Sequence, residues 1–260
     1  MIEPVLRVEE LVVEFRDPGR GKLRAVDGVS LAIRRGEIVG LVGESGSGKT
    51  TLAKTVLRLY RPHSGRIVLA GVDVTRLGEA QLWATRRHAQ MVFQDPLSSF
   101  NPRHTIGYAL AVPLFVHGIC SKRDAPGRVA CMLEDVGLPP SFASRYPHQL
   151  SGGQLQRAAI GRALVLSPAL IVADEAVSKL DVSVRAQILN LLKRVHAESG
   201  LSLLFITHDL HVARFLSDRI GIMQAGRLLE IGPTRDVFAR PSHPYTQTLL
   251  GTIAPAPGEA

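Results

Sequence analysis

The chain has 260 residues, 45% of them apolar, enough to bury the core of one large domain or two small ones. Its net charge of +8 is spread over single Arg and Lys residues and pairs such as Arg34-Arg35 and Arg86-Arg87, so charge alone marks neither a nucleic-acid binder nor a membrane-surface protein. Apolar runs such as "LVVEF" and "LSLLFI" fall far short of the roughly 20 residues of a membrane span, and "MIEPVLRVEE" is not a basic, apolar leader; a soluble cytosolic chain is expected. Cys120 and Cys131 lack metal-ligand spacing and are read as two reduced thiols.

In chain order, "VLRVEELVVEF" and "AVDGVSLAI", joined later by "GRIVLAGVDV", are short Val/Leu/Ile-rich runs punctuated by glycine, which predicts an antiparallel β layer near the N-terminus. "EIVGLVG" is a continuous apolar run of the kind a buried parallel strand requires. It leads into "GESGSGKT", Gly43 to Thr50, and then the helical "TLAKTVLRL". The glycines let successive backbone N–H groups converge on phosphate, and the following helix start adds partial positive charge. Lys49 would reach the β- and γ-phosphates of a nucleotide and the Thr50 hydroxyl would ligate Mg²⁺. A chance glycine turn explains shorter patterns, but not one with the Lys-Thr pair and both flanks in place.

From about Pro96 to Gln149 no comparably strong strand occurs; Val129, Met132 and Leu133 predict helices joined by Pro-rich turns, inserted into the α/β core. "HQLSGGQLQRAAIGRAL" is a second glycine-bearing helix start, in which Ser151 can cap while Gly152 and Gly153 permit close approach. Read alone it is an ordinary capped helix or an anion site. One triphosphate rarely needs two such helix starts, which suggests that the second is used across an interface.

"ALIVADE" is another buried strand, ending on Asp174 and Glu175. Adjacent residues at a strand end point apart, so Asp174 can serve Mg²⁺ while Glu175 orients or deprotonates a water. Val184, Ile188, Leu191, Leu192 and Val195 recur at helical spacing. "LSLLFITHD" is a third buried strand, and a parallel placement puts His208 on the same sheet edge as Glu175. "MQAGRLLEIG" predicts a turn at Ala225-Gly226 between short strands, and the tail from Ala254 reads as loose.

Taken together, "GESGSGKT", "VFQDP", "LSGGQLQR", "IVADE" and "ITHD" resemble, in order and spacing, the ATPase subunits of ATP-binding cassette transporters, from about Leu6 to Leu250. The resemblance implies an α/β P-loop NTPase (RecA-like) core with an N-terminal antiparallel β subdomain and an inserted α-helical subdomain. One nucleotide-binding domain then spans 1–260, with the insertion at about 96–160 and a short C-terminal extension at about 232–260.

The same resemblance implies ATP and Mg²⁺ as ligands, with Gly43, Glu44, Ser45, Gly46, Ser47, Gly48, Lys49, Thr50 and Thr51 around the phosphates. It implies that Gln94 contacts Mg²⁺ and the lytic water, that His208 holds the γ-phosphate, and that Ser151 and Gly153 contact the γ-phosphate bound by the opposite subunit. Asp181 would lie at the dimer seam. The family stacks an aromatic on adenine near the end of its first strand; Phe15 is the nearest candidate, and a core Phe is the competing reading.

"GPTRDVFARPSHPYTQTLL" and "VFQDPLSSFNPR" resemble the subgroup that energises peptide and nickel importers. Long-tailed peptide members carry a cysteine-rich segment after this point, and the sequence has none there; with "DEAVS" in place of "DEP", this tilts the expectation towards nickel. Transmembrane permease subunits, a second ATPase subunit and, indirectly, a solute-binding protein are the implied partners, at the cytoplasmic face of the membrane. No nucleic-acid partner is expected, a repair-type ATPase and a non-transport regulatory cassette being the alternatives. Ala176 and Lys179 replace the Pro and Ala commonest in the family.

Overall fold

The computed structural model describes residues 3–17 and 21–251; the tail from Ala254 lies outside them. In chain order the first half comprises β1 (Leu6–Asp17), β2 (Gly21–Ile33), β3 (Ile38–Val42), α1 (Lys49–Val56), β4 (Ser64–Leu69), β5 (Val72–Asp73), α2 (Glu79–Thr85), β6 (Ala89–Val92), α3 (Ile106–Val116) and α4 (Ala125–Asp135). Then follow α5 (Gly152–Leu164), β7 (Leu170–Asp174), α6 (Val182–Ser199), β8 (Ser202–Thr207), α7 (Leu210–Leu216), β9 (Arg219–Gln224), β10 (Arg227–Pro233), α8 (Thr234–Ala239) and α9 (Pro244–Gly251).

Two sheets form. The N-terminal strands make an antiparallel sheet in the order β2-β1-β4-β5, with Leu6 opposite both Ile33 and Leu69. The second has the order β10-β9-β3-β8-β7-β6, parallel from β9 to β6 and antiparallel only at the β9–β10 hairpin. That hairpin turns at Ala225–Gly226, both with positive φ, as the Ala-Gly pair predicts.

β3, β7 and β8 are buried at every residue, which explains why their sequences show apolar runs without alternation. Their side chains nevertheless alternate between two cores. Ile171, Ala173, Leu203 and Phe205 face a core shared with α3 to α6, whereas Leu170, Val172, Leu204 and Ile206 face one shared with α1 and the antiparallel sheet. The region predicted as helical from Pro96 onward supplies α3 and α4. Val129 and Leu133 are buried as their spacing requires, Met132 half so, beside Leu110 and Ile160. No described helix is long and apolar enough to cross a membrane.

Phe205 is fully buried at the centre of the parallel sheet. Phe205→Ala removes a whole ring from a close-packed layer and should cost about 3–5 kcal/mol, read as a lower midpoint in urea unfolding at unchanged slope.

Candidate functional site

The register of the parallel strands assembles the site. Val42 pairs with Thr207, Asp174 with Ile206 and Val92 with Ala173, so β3, β8, β7 and β6 end side by side. The segments leaving these four ends carry Gly43–Thr51, His208, Glu175 and Gln94 respectively, at the edge where open α/β sheets take their ligands.

In the loop after β3, Lys49 is only 4% exposed, and its ammonium donates to Gly43 O at 2.8 Å, Glu44 O at 2.7 Å and Ser47 Oγ at 3.1 Å. Burial lowers its pKa, against the attraction of Glu175, Asp174 and Glu44. Three oxygens thus gather where an anionic oxygen would otherwise serve. Gly48 has φ +100°, and a Cβ there would lie 2.1 Å from Ala25 O, so the loop's approach to β2 requires glycine. Ser47 O accepts from Gly226 N at 3.0 Å, bracing the loop on the β9–β10 turn. Glu44, Ser45 and Gly46 face solvent, and Thr51 continues into α1.

Thr50 Oγ1 donates to Asp174 Oδ1 at 3.0 Å. Asp174 is 5% exposed, and burial raises its pKa despite the Thr50 bond; the Glu175 charge adds to the rise and Lys54 and Lys49 oppose it. Glu175 leaves the strand with φ +48°, unusual for a non-glycine residue, while its N–H donates to Ile206 O at 3.0 Å. The turn swings its carboxylate away from Asp174: Oε2 accepts from Gln94 Nε2 at 2.8 Å, and Oε1 lies 3.5 Å from His208 Nδ1. Gln94, Glu175 and His208 therefore converge.

Two residues not singled out from the sequence complete this edge. Ser178 donates to Glu175 O at 3.0 Å and fixes the turn after β7. Asp209 accepts from the N–H groups of His211 and Val212 at the start of α7 and from Arg185 of α6 at 3.1 Å, which locks the bend that presents His208. An Asp directly before a helical run was a visible capping signal; Arg185 carried none.

The chemistry of the donors fits Mg²⁺. Among the described residues no three His, Cys, Asp or Glu cluster as metal ligands. A hydroxyl beside one carboxylate, with phosphate and water completing the shell, is a magnesium set rather than a zinc or iron one.

Other expected residues lie apart. Ser151 caps α5, accepting from Gln154 N at 3.3 Å while Gln154 Oε1 accepts from Ser151 N at 3.0 Å, a capping box. A Cβ on Gly153 would come 2.4 Å from Val184 Cγ1, so glycine lets the α5 start sit on α6. Among the described residues no hydrogen bond or ion pair joins Ser151, Gly153 or Asp181 to the phosphate loop or to Glu175. Asp181 is exposed at the head of α6. Phe15 is 36% exposed, edge-on to Tyr60 at 5.4 Å, which removes the core reading; Tyr60 in turn lies under Lys54 of α1. Ala176 is buried in the core, and Lys179 is exposed with nothing in the structure to explain it.

Because the folded pKa of Asp174 lies above its ordinary 3.8, the stability it contributes is complete below that value and is lost as pH rises through the raised pKa. Asp174→Asn removes the charge and keeps an acceptor for Thr50. It should raise the Tm of the nucleotide-free chain by about 2–4 °C at neutral pH, with the gain shrinking as pH falls towards about 4, by calorimetry.

Comparison with known proteins agrees with this geometry. A family model described as "ABC transporter" matches residues 26–178. The oligopeptide transport ATP-binding protein AppF of Bacillus subtilis is 47% identical over 259 residues, covering 94% of this chain and 79% of that one. The glutathione import ATP-binding protein GsiA of Escherichia coli is 48% identical over 259 residues, covering 96% of this chain but 41% of its own length. Among solved structures, the dimeric cassette MJ0796 bound to ADP and Pi superposes with a TM-score of 0.80 at 31% identity, covering 88% of this chain and 99% of that one. CbiO1 of Clostridium perfringens, part of the transporter complex cbiONQ, also reaches 0.80, at 27% identity over 92% of each chain. With this P-loop NTPase fold and this edge of phosphate loop and carboxylates, the chain belongs to the ATP-binding cassette transporter family, as an ATP-hydrolysing subunit.

Proposed function

We propose that the chain energises a peptide-type importer from the cytoplasmic face of the membrane, holding ATP and Mg²⁺ at the edge formed by β3, β8, β7 and β6. The observation that carries the reading is the Glu175 carboxylate held between Gln94 at 2.8 Å and His208 at 3.5 Å, beside the Lys49, Thr50 and Asp174 group. Lys49 exchanges its loop oxygens for those of the β- and γ-phosphates, and backbone N–H groups of Gly43–Thr51 complete the cradle. Thr50, Asp174 and Gln94 would hold Mg²⁺, which would supply neutralisation of charge on the phosphate oxygens. Glu175 takes the proton of the attacking water and His208 donates to the γ-phosphate, so that the water is activated and the transferred group steadied by different side chains. Phe15, exposed and edge-on to Tyr60, offers a face to adenine.

Ser151, exposed at the α5 start, and Gly153, packed against Val184 of α6, serve the γ-phosphate of a second ATPase subunit, with Asp181 at the seam. Permease subunits and a solute-binding protein complete the system. The relatives' names favour peptides over nickel as the solute class: AppF is named for oligopeptide transport and GsiA for glutathione import. Neither name supports the nickel tilt, nor a nucleic-acid or purely regulatory role.

Glu175→Gln should bind ATP as the native chain does while turnover falls about 10²-fold or more; undiminished phosphate release would remove Glu175 from this role. In a strain lacking the chain, short-peptide uptake should be lost and nickel uptake retained, measured with labelled solutes; the opposite pattern overturns the peptide reading.

A further inference from the structure

Glu175 and His208 leave the neighbouring strands β7 and β8 on separate loops, yet their side chains stand 3.5 Å apart. Backbone pairing sets that approach only as far as the bond from Glu175 N to Ile206 O at 3.0 Å. Beyond it the loop after β7 runs through Ser178 and Leu180 to the head of α6, and the loop after β8 bends through Asp209 into α7. Each loop is tied within itself. Ser178 donates to Glu175 O through both N and Oγ, at 3.1 Å and 3.0 Å, and Leu180 packs on the core that holds Ala176 and Val177. On the other side Asp209 N donates to Thr207 Oγ1 at 3.0 Å, and Asp209 Oδ1 accepts the N–H groups of His211 and Val212 at 2.9 Å and 3.2 Å. Two such loops still need a fixed relation to each other.

Arg185, in the first turn of α6, supplies it. Its Nη1 donates to Asp209 Oδ2 at 3.1 Å and its Nη2 donates to Leu180 O at 3.4 Å, so one planar guanidinium touches both loops. The Asp209 carboxylate is thereby used on both oxygens, Oδ1 at the start of α7 and Oδ2 on the guanidinium. Both side chains are 28% exposed, which shields the pair from water more than a surface pair is shielded. The stem is anchored as well, because Arg185 N donates to Asp181 O at 2.8 Å. Arg185 Nε is buried and has no acceptor among the described residues, a cost that its own bonding does not remove. The side chain thus stands where the two loops need it rather than where all of its donors are met.

We propose that Arg185 straps these loops together and is a positioning residue for hydrolysis, holding the His208 ring beside the Glu175 carboxylate through Asp209. Among the described residues no hydrogen bond joins Arg185 to Lys49, Thr50 or Asp174, so nucleotide affinity is set without it. The rate of the chemical step depends on it, because a displacement of about 1 Å at a reacting group can cost as much as about 10²-fold. The inference rests on the reading that Glu175 and His208 act on the water and the γ-phosphate.

The test uses the full chain, with phosphate release, binding of a fluorescent ATP analogue and thermal unfolding measured in parallel. Arg185→Met keeps an unbranched stem and removes every side-chain donor. It should lower kcat about five- to twentyfold and leave the Kd for the analogue within about twofold of native. Arg185→Lys keeps the charge but not the fork, and should recover only part of the lost kcat. Placed in a His208→Ala chain whose residual turnover is followed over hours, Arg185→Met should cost less than about twofold more, since a strap acting through His208 has nothing left to hold. Native kcat in Arg185→Met, with or without a lowered Tm, would show that the guanidinium only steadies the fold and would overturn the proposal. So would full rescue by Arg185→Lys, or an undiminished loss in the His208→Ala chain. Should Arg185→Met not fold, Arg185→Lys decides by itself: reduced kcat at native Kd supports the strap and native kcat overturns it. If His208→Ala turns over like the native chain, the reading of His208 falls and the strap with it, whereas a slow His208→Ala beside an indifferent Arg185→Met removes the strap alone.

Discussion

The buried ammonium of Lys49 is the constraint on which the site depends. An unpaired charge at 4% exposure would cost several kcal/mol, and here two carbonyls and a hydroxyl of its own loop surround it. Those oxygens converge only because the backbone folds tightly, which Gly48 permits against Ala25, and because Gly226 N holds the Ser47 carbonyl. Compensation of one charge thus ties the loop to β2 and to the β9–β10 turn. It also fixes the first turn of α1, which delivers Thr50 to Asp174. The loop is shaped before any phosphate arrives, so binding energy need not be spent on ordering it.

Two neighbouring carboxylates divide their roles through one backbone angle. Asp174 ends the strand facing Thr50, and the positive φ of Glu175 turns the next carboxylate towards Gln94 and His208. The left-handed conformation costs about 1–2 kcal/mol for a residue with a Cβ, offset by the bond from Glu175 N to Ile206 O and by Ser178. Gln94 is reached through a loop that is itself pinned. The guanidinium of Arg162 on α5 lies 4.6 Å from the Phe100 ring and donates to Ser99 O. The helix that begins at Ser151 therefore helps to set where Gln94 stands.

Much of this was legible because the physics was local. The three buried strands announced themselves as apolar runs without alternation, since both faces are covered. "GESGSGKT" carries its geometry in glycines that no other residue replaces. Asp174 and Glu175 stood out as acids closing such a run, and the observed pairing of Asp174 with Thr50 follows from parallel strands ending in register. What the sequence hid was contact between distant segments. Nothing in "VSVRAQ" says that Arg185 meets Asp209, and nothing in "HPYT" says that the His243 N–H meets Glu230 of β10. Nor does a Glu codon announce a positive φ: glutamate has no preference for it, and only the surrounding bonds impose it. The choice between core and surface for Phe15 was equally undecidable, because an aromatic at a strand end satisfies both patterns until its neighbours are known.

On the proposed reading, the α5 and α6 starts are the part of the chain that serves a second subunit's nucleotide. Gly153 lets the two helix heads meet, and the surface around them carries Ser151 and Asp181, both exposed, with Val182 at 81% exposure. Asp181 makes no capping bond, which leaves the first N–H groups of α6 to solvent, while those of α5 are only partly served by Ser151. Two helix N-termini side by side, with their partial positive charge directed outward, favour an anion that this chain does not supply from its own edge. The phosphates held near Lys49 of a second copy, or of a related subunit, have the required charge. On that reading the capping box of Ser151 has two uses: it holds the helix start in shape while the chain stands alone, and it offers the same hydroxyl and N–H groups to phosphate when a partner subunit docks.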